Sequence, residues 1–239
     1  MFDGCLGWKA LHPISWLAGE NVSFDTSSYL RKATSRAKSD VANKLISMLL
    51  HEISRRVVAT VGLSVTDPAY TNAVTAAFGD RCAYCNRTLE ADRASVEHLE
   101  GMNRFRAGLH VPGNVVVSCI KCNREKRRDD QLVVLVLAES GWNSFLSHDS
   151  SRCSPSCKTC LYWATIWPNP IERRERLRAA IAKINEFRNS YSASIDWSAK
   201  ARAEMKGRMA DLYSECQEFA ATRIKSLAND LFAEIKAID

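Results

Sequence analysis

Between residues 27 and 61, positions Leu30, Thr34, Ala37, Val41, Leu45, Met48, Ile53 and Val57 recur at steps of three to five, the spacing of one face of a long amphipathic helix. Asp25 or Ser27 is the expected cap and Gly62 the stop. Asp67-Pro68 opens a second, shorter helix that ends at Gly79, because proline is tolerated in a first helical turn. Across residues 81–128 the periodicity gives way to cysteine pairs, turns and short extended pieces at 95–99 and 114–118. Residues 131–146 return to a helical pattern broken at Gly141; leucine and valine dominate 132–137, where helix is favoured although a buried strand also fits. The stretch 148–170, rich in Ser, Cys, Pro and Trp, reads as a boundary. Beyond it Leu177, Ile181, Ile184, Phe187 and Tyr191 form one stripe. Met205, Met209, Leu212, Cys216 and Phe219, then Ala220, Ile224, Leu227, Leu231 and Ile235, form another. The two stripes predict a long C-terminal helical hairpin turning within 189–196, a packed core or a dimer seam. The slip from Phe219 to Ala220 interrupts the heptad.

This pattern gives a mainly α protein in four segments: a helical region over 1–79, a small module over 80–130, a connector over 131–170 and the hairpin over 171–239. With 239 residues and 46% apolar composition, the chain has enough material for a substantial core. No apolar run approaches the roughly 20 residues of a membrane span, and residues 1–19 lack the layout of a secretory signal, so a cytoplasmic protein is expected. A net charge of +6 is compatible with a nucleic-acid partner without implying one.

Nine cysteines in a reducing compartment point to metal rather than to a disulfide framework. Cys82-Ala83-Tyr84-Cys85 and Cys119-Ile120-Lys121-Cys122 are two C-x-x-C knuckles separated by 33 residues, the spacing of a closed four-thiolate zinc site. Such a site is structural, since it leaves no coordination position for a substrate. A second group, Cys153, Cys157 and Cys160, offers three more ligands, with His148, Cys5 or Cys216 as the fourth; ordinary thiols in a loop are the alternative.

Between the knuckles lie Glu97-His98 and Asn114, and the second knuckle continues into Asn123 and Lys126. The arrangement C-x-x-C, E-H, N, C-x-x-C-N-x-x-K resembles the zinc-stapled HNH endonucleases with a ββα-metal fold, over roughly residues 81–128. The resemblance implies two strands and a helix around a catalytic cation. It also implies a DNA phosphodiesterase with His98 as general base, Glu97 and Asn123 as ligands of magnesium or manganese, and Asn114 pinning the intervening loop. The residue chemistry is consistent: a neutral imidazole accepts a proton near pH 7, and carboxylate and amide oxygens are the hard donors those cations prefer. Two positions depart from the usual pattern, Asn123 standing for histidine and Glu97 for aspartate. Neighbouring strand residues point to opposite faces, so joint action of Glu97 and His98 on one ion requires either an irregular strand, which the resemblance implies, or approach from two sides.

Lys121, Arg124, Lys126, Arg127 and Arg128 crowd the expected motif helix beside Asn123, where they would neutralise phosphates; a solvated helix face is the plain alternative. Arg104, Arg106 and His110 in the loop are weaker candidates. The expected activity is restriction-type or other defensive cleavage of double-stranded DNA. An RNase, a mobile-element nickase, and a zinc-dependent nucleic-acid-binding protein without catalysis are the competing readings.

Overall fold

The computed structural model describes residues 26–132, 141–148, 153–205 and 207–236, with side chains for 40–129, 141–148, 153–205 and 207–235. Among them are eight α-helices and one two-stranded antiparallel sheet, so the protein is mainly helical as expected. No described helix is long and apolar enough to cross a membrane.

Helix α1 (Thr26–Val61) ends at Gly62, whose φ of +75° suits a residue without a Cβ and whose N–H donates to the Val58 carbonyl at 2.8 Å. Helix α2 (Pro68–Phe78) starts on the Asp67-Pro68 pair and stops at Gly79. Strands β1 (Ala94–His98) and β2 (Val115–Cys119) pair with Ala94 opposite Cys119 and His98 opposite Val115, each one residue from its predicted bounds. Helix α3 (Ile120–Leu132) follows β2 without a loop and packs on both strands. Helix α4 (Gly141–Leu146) begins at the glycine expected to break the pattern; beyond Leu132, the run 132–137 lies outside the described residues.

The predicted boundary at 148–170 contains a helix, α5 (Lys158–Ile166), and its Trp163 is fully buried. The expected C-terminal hairpin is instead three helices: α6 (Pro170–Asn189), α7 (Ser192–Met205) and α8 (Arg208–Lys236). The first turn spans only Ser190 and Tyr191, and a second break falls at Gly207, with φ +87°. Periodicity missed that break because Met205 and Met209 are four residues apart, so the apolar stripe runs across it unbroken.

Two apolar clusters carry the packing. One joins Tyr70 and Phe78 of α2, the four knuckle cysteines, Val116, Trp142, Phe145, Trp163, and Leu177, Ile184 and Phe187 of α6. The other joins Ile46, Leu50 and Val57 of α1 to Leu109 and Val111 of the long loop and to Met205 and Met209. Helix α8 lies along α1, burying Met209, Cys216 and Ala220, while Phe219, Ile224, Leu227 and Leu231 are exposed. The slip at Phe219 and Ala220 is thus where the buried face of α8 ends: Ala220 is its last buried residue, and the stripe beyond it is exposed.

Candidate active site and metal centres

The Cys82, Cys85, Cys119 and Cys122 sulfurs lie within 4.8 Å of one another and are buried. Four bonds of about 2.3 Å in a tetrahedron place sulfurs about 3.8 Å apart, and the Cys85 and Cys119 sulfurs are 3.8 Å apart. The group could hold a metal ion, as the knuckle spacing predicted. Hydrogen bonds among the crowded thiols push Cys82 and Cys122 far up and Cys119 far down, a conflict that a divalent cation would relieve. The Tyr162 hydroxyl of α5 lies 3.1 Å from the Cys122 sulfur.

Glu97, His98 and Asn123 line one cleft of about 330 Å³, with Asn43 of α1, Met102 and Arg104 of the loop, and Lys126 and Arg127 of α3. Strand β1 keeps a regular register through Glu97, opposite Val116, and His98. The irregularity implied by the resemblance is absent, and the side chains leave on different sides. Ser95 and Glu97 face α3: the Asn123 amide donates to Ser95 Oγ at 3.0 Å and to the Val96 carbonyl at 3.3 Å. Glu97 is 4% exposed and Lys126 2%; the Lys126 ammonium is 3.0 Å from Glu97 Oε1 and also donates to the His98 carbonyl at 3.0 Å. The Tyr84 hydroxyl of the first knuckle donates to the same carboxylate oxygen at 3.2 Å. Asn123 Oδ1 accepts from the Arg127 guanidinium at 3.2 Å. Carboxylate and amide oxygens thus share one cleft, a donor set whose chemistry suits a hard cation, and Lys126 already supplies one positive charge there.

His98 leaves on the other side. Its Nε2 shares a hydrogen bond of 2.9 Å with Nδ1 of His110, and the His110 ring centroid is 5.8 Å from that of His51 on α1. Burial, reinforced by His110, Lys126 and His51, pushes His98 down to about 3, so the ring is neutral at pH 7. The same burial lowers His110. Helix α1 also fixes the loop backbone, since the His110 N–H donates to Ser54 Oγ at 2.8 Å.

Asn114 is buried and ties the two ends of this loop together. Its Oδ1 accepts from the Glu100 N–H at 2.7 Å, and its Nδ2 donates to the Leu109 carbonyl at 2.7 Å and the Glu100 carbonyl at 3.1 Å. Tyr70 of α2 adds a second tie: its hydroxyl donates to the Val115 carbonyl and accepts from the Gly113 N–H at 3.1 Å. Burial raises the Tyr70 phenol to about 12, because phenolate would be left in an apolar core. Glu100 is buried near Arg188 of α6, 3.8 Å away, and Arg202 of α7, 4.0 Å away.

Of the basic residues expected to face phosphate, Lys121, Arg124 and Arg127 are exposed. Arg128 is half-buried against Glu125, and Lys126 is enclosed with Glu97. Arg104 stacks on the Tyr213 ring at 3.9 Å, and Arg106 is buried. His51, Ser54, Tyr70, Arg188 and Arg202, each on a helix outside the motif, carried no signal in the sequence. Only the loop position of His110 gave a local signal.

His148, Cys153, Cys157 and Cys160 form a second group with ligand atoms within 4.8 Å of one another, which also could hold a metal ion. Of the alternative fourth ligands, Cys216 is buried on α8 outside this group and Cys5 lies outside the described residues. Compared with known protein families, with curated proteins and with solved structures, the chain has no match.

Proposed function

We propose that the chain is a metal-dependent endonuclease of the HNH type that hydrolyses DNA phosphodiester bonds, with a structural zinc ion on Cys82, Cys85, Cys119 and Cys122. The observation that carries this reading is that Glu97, His98 and Asn123 all line one polar cleft, although Glu97 and His98 leave the strand on different sides. With His98 in the tautomer whose Nε2–H donates to Nδ1 of His110, its own Nδ1 takes the proton of a water molecule as the water oxygen bonds to phosphorus and one P–O ester bond breaks. Magnesium or manganese on Glu97 and Asn123 would neutralise charge on the phosphate and the departing oxygen. Lys121, Arg124 and Arg127, exposed on α3, hold the phosphate backbone; Asn114 and Tyr70 keep the loop that carries His110 in place. Lys126 neutralises Glu97, which leaves cation affinity weak until substrate phosphate adds its own negative charge.

The test is incubation of methylated and unmethylated plasmid, single-stranded DNA and RNA with magnesium or manganese, followed by mapping of the ends. We expect cleavage of duplex DNA that disappears in His98→Ala while zinc content and thermal stability persist; wild-type cleavage by that variant would exclude the mechanism. Cutting of RNA alone would redirect the reading to an RNase, and nicking without double-strand breaks to a nickase. Double-strand cleavage with one site per chain calls for two copies. A defensive role against invading DNA is the setting we infer, and discrimination between the two plasmids is its readout.

One observation favours a second reading, a zinc-stabilised nucleic-acid-binding protein without catalysis: Glu97 is already satisfied by Lys126 and Tyr84. Metal-dependent cleavage lost in His98→Ala would reject it, and duplex binding without cleavage under any divalent cation would establish it.

A further inference from the structure

We propose that His148, Cys153, Cys157 and Cys160 bind a second, closed zinc ion that fastens His148 and the start of α5 to α3, with His148 ligating through Nδ1 and Asp129 orienting its ring. Local structure gathers the cysteines. Cys157 caps α5 and Cys160 lies in its first turn, three residues on, so both thiols meet at the start of that helix, and Cys153 returns to them through the turn at 154–157.

The geometry matches a tetrahedral site. Zinc bonds of about 2.3 Å to sulfur and about 2.0–2.1 Å to nitrogen place the two atoms about 3.5 Å apart at the tetrahedral angle. Nδ1 of His148 is 3.4 Å from the Cys153 sulfur and 3.3 Å from that of Cys157. The other ring nitrogen carries a further, independent feature. Nε2 lies 3.1 Å from Asp129 Oδ1, and that carboxylate oxygen also accepts from the Thr159 hydroxyl at 2.8 Å. A carboxylate on the far nitrogen of a histidine fixes both tautomer and ring plane, turning the remaining nitrogen towards the metal.

Asp129 sits on α3, three residues beyond Lys126 and six beyond Asn123. The proposed ion therefore fixes the far end of the helix whose near end enters the four-cysteine group through Cys122. Three thiolates and one imidazole complete the coordination, so the site is structural and has no open position for a substrate. None of this depends on nuclease activity.

The test is metal analysis of the full chain purified under reducing conditions without chelator. We expect two zinc ions per chain, falling to one in Cys157→Ser and in His148→Ala. Asp129→Asn should retain two at saturation but release the second to a competing chelator at 10- to 100-fold lower chelator concentration. Cobalt substitution supplies a spectroscopic check: two distinct sets of thiolate-to-metal bands are expected, one of which vanishes in Cys157→Ser. A wild-type stoichiometry of one would overturn the proposal, as would two ions that both persist in the folded Cys157 and His148 variants. Should those variants fail to fold, the wild-type stoichiometry and the number of cobalt band sets decide the matter.

Discussion

At Asn114 a single carboxamide serves the Glu100 N–H and the carbonyls of Glu100 and Leu109, all inside the core. Asn114→Ala removes those partners without admitting water, and each stranded buried group costs about 1–3 kcal/mol. We expect Asn114→Ala to lower unfolding free energy by about 3 kcal/mol in urea titration, with a loss of activity because His110 and His98 lose their fixed relation. Tyr70 gives a pH signature. Its phenol is raised to about 12 in the folded chain against 10 in the unfolded chain, so its stabilisation is complete below pH 10 and is lost as pH rises towards 12. Two pKa units correspond to roughly 2–3 kcal/mol. Urea midpoints measured between pH 9 and 12 should therefore fall more steeply for the wild type than for Tyr70→Phe, and parallel curves would remove Tyr70 from the account.

Within the β1–β2–α3 element, strand alternation divides the work. Glu97 faces α3 and is neutralised there, whereas His98 faces the loop and is held by His110. The basic helix divides likewise, with Lys121, Arg124 and Arg127 exposed and Lys126 enclosed. Counterion release then predicts different outcomes for lysines of one helix. Lys121→Gln should reduce the slope of log affinity against log salt for duplex DNA by about 1, as read by fluorescence anisotropy, without changing stability. Lys126→Gln should instead take the charged partner of the Glu97 carboxylate out of a buried ion pair and lower stability by about 3–5 kcal/mol. A stable Lys126→Gln protein with a reduced salt slope would show that the lysine reaches phosphate after all.

For the molecule as a whole, the four-cysteine group is not an appendage. Its cysteines pack in the same cluster as Tyr70 of α2, Trp163 of α5, and Leu177 and Phe187 of α6, so the proposed zinc ion would tie directly into the main core. Chelation of the proposed zinc under reducing conditions should lower the melting temperature by roughly ten degrees or more and erase near-ultraviolet circular dichroism from the core aromatics, well beyond the 80–130 segment. Loss of metal with an unchanged melting curve would mean that the core stands without it. The glycine at 113 marks how closely the α6–α7 turn approaches the loop: its φ is +82°, and a Cβ there would lie 2.8 Å from the Cβ of Tyr191, just before α7.

Whatever is set by neighbours along the chain was legible in the sequence. Helix α1 and its glycine stop, the proline start of α2, the two strands to within one residue and both metal-capable groups follow from periodicity, turn residues and ligand spacing, and the resemblance to a known motif added the grouping of Glu97, His98 and Asn123. These depend on contacts a few residues apart, or on a metal-ligand spacing that a short module must satisfy. Only the tertiary structure decided that the C-terminal stripe is three helices and that α5 belongs to the core. The same holds for the ion pair enclosing Lys126, and for His110, Ser54 and Tyr70, supplied around the cleft by a loop and by two helices outside the motif. Those outcomes depend on which surfaces meet, and residues brought together from 12 to 56 positions apart leave no common period for a single sequence to display.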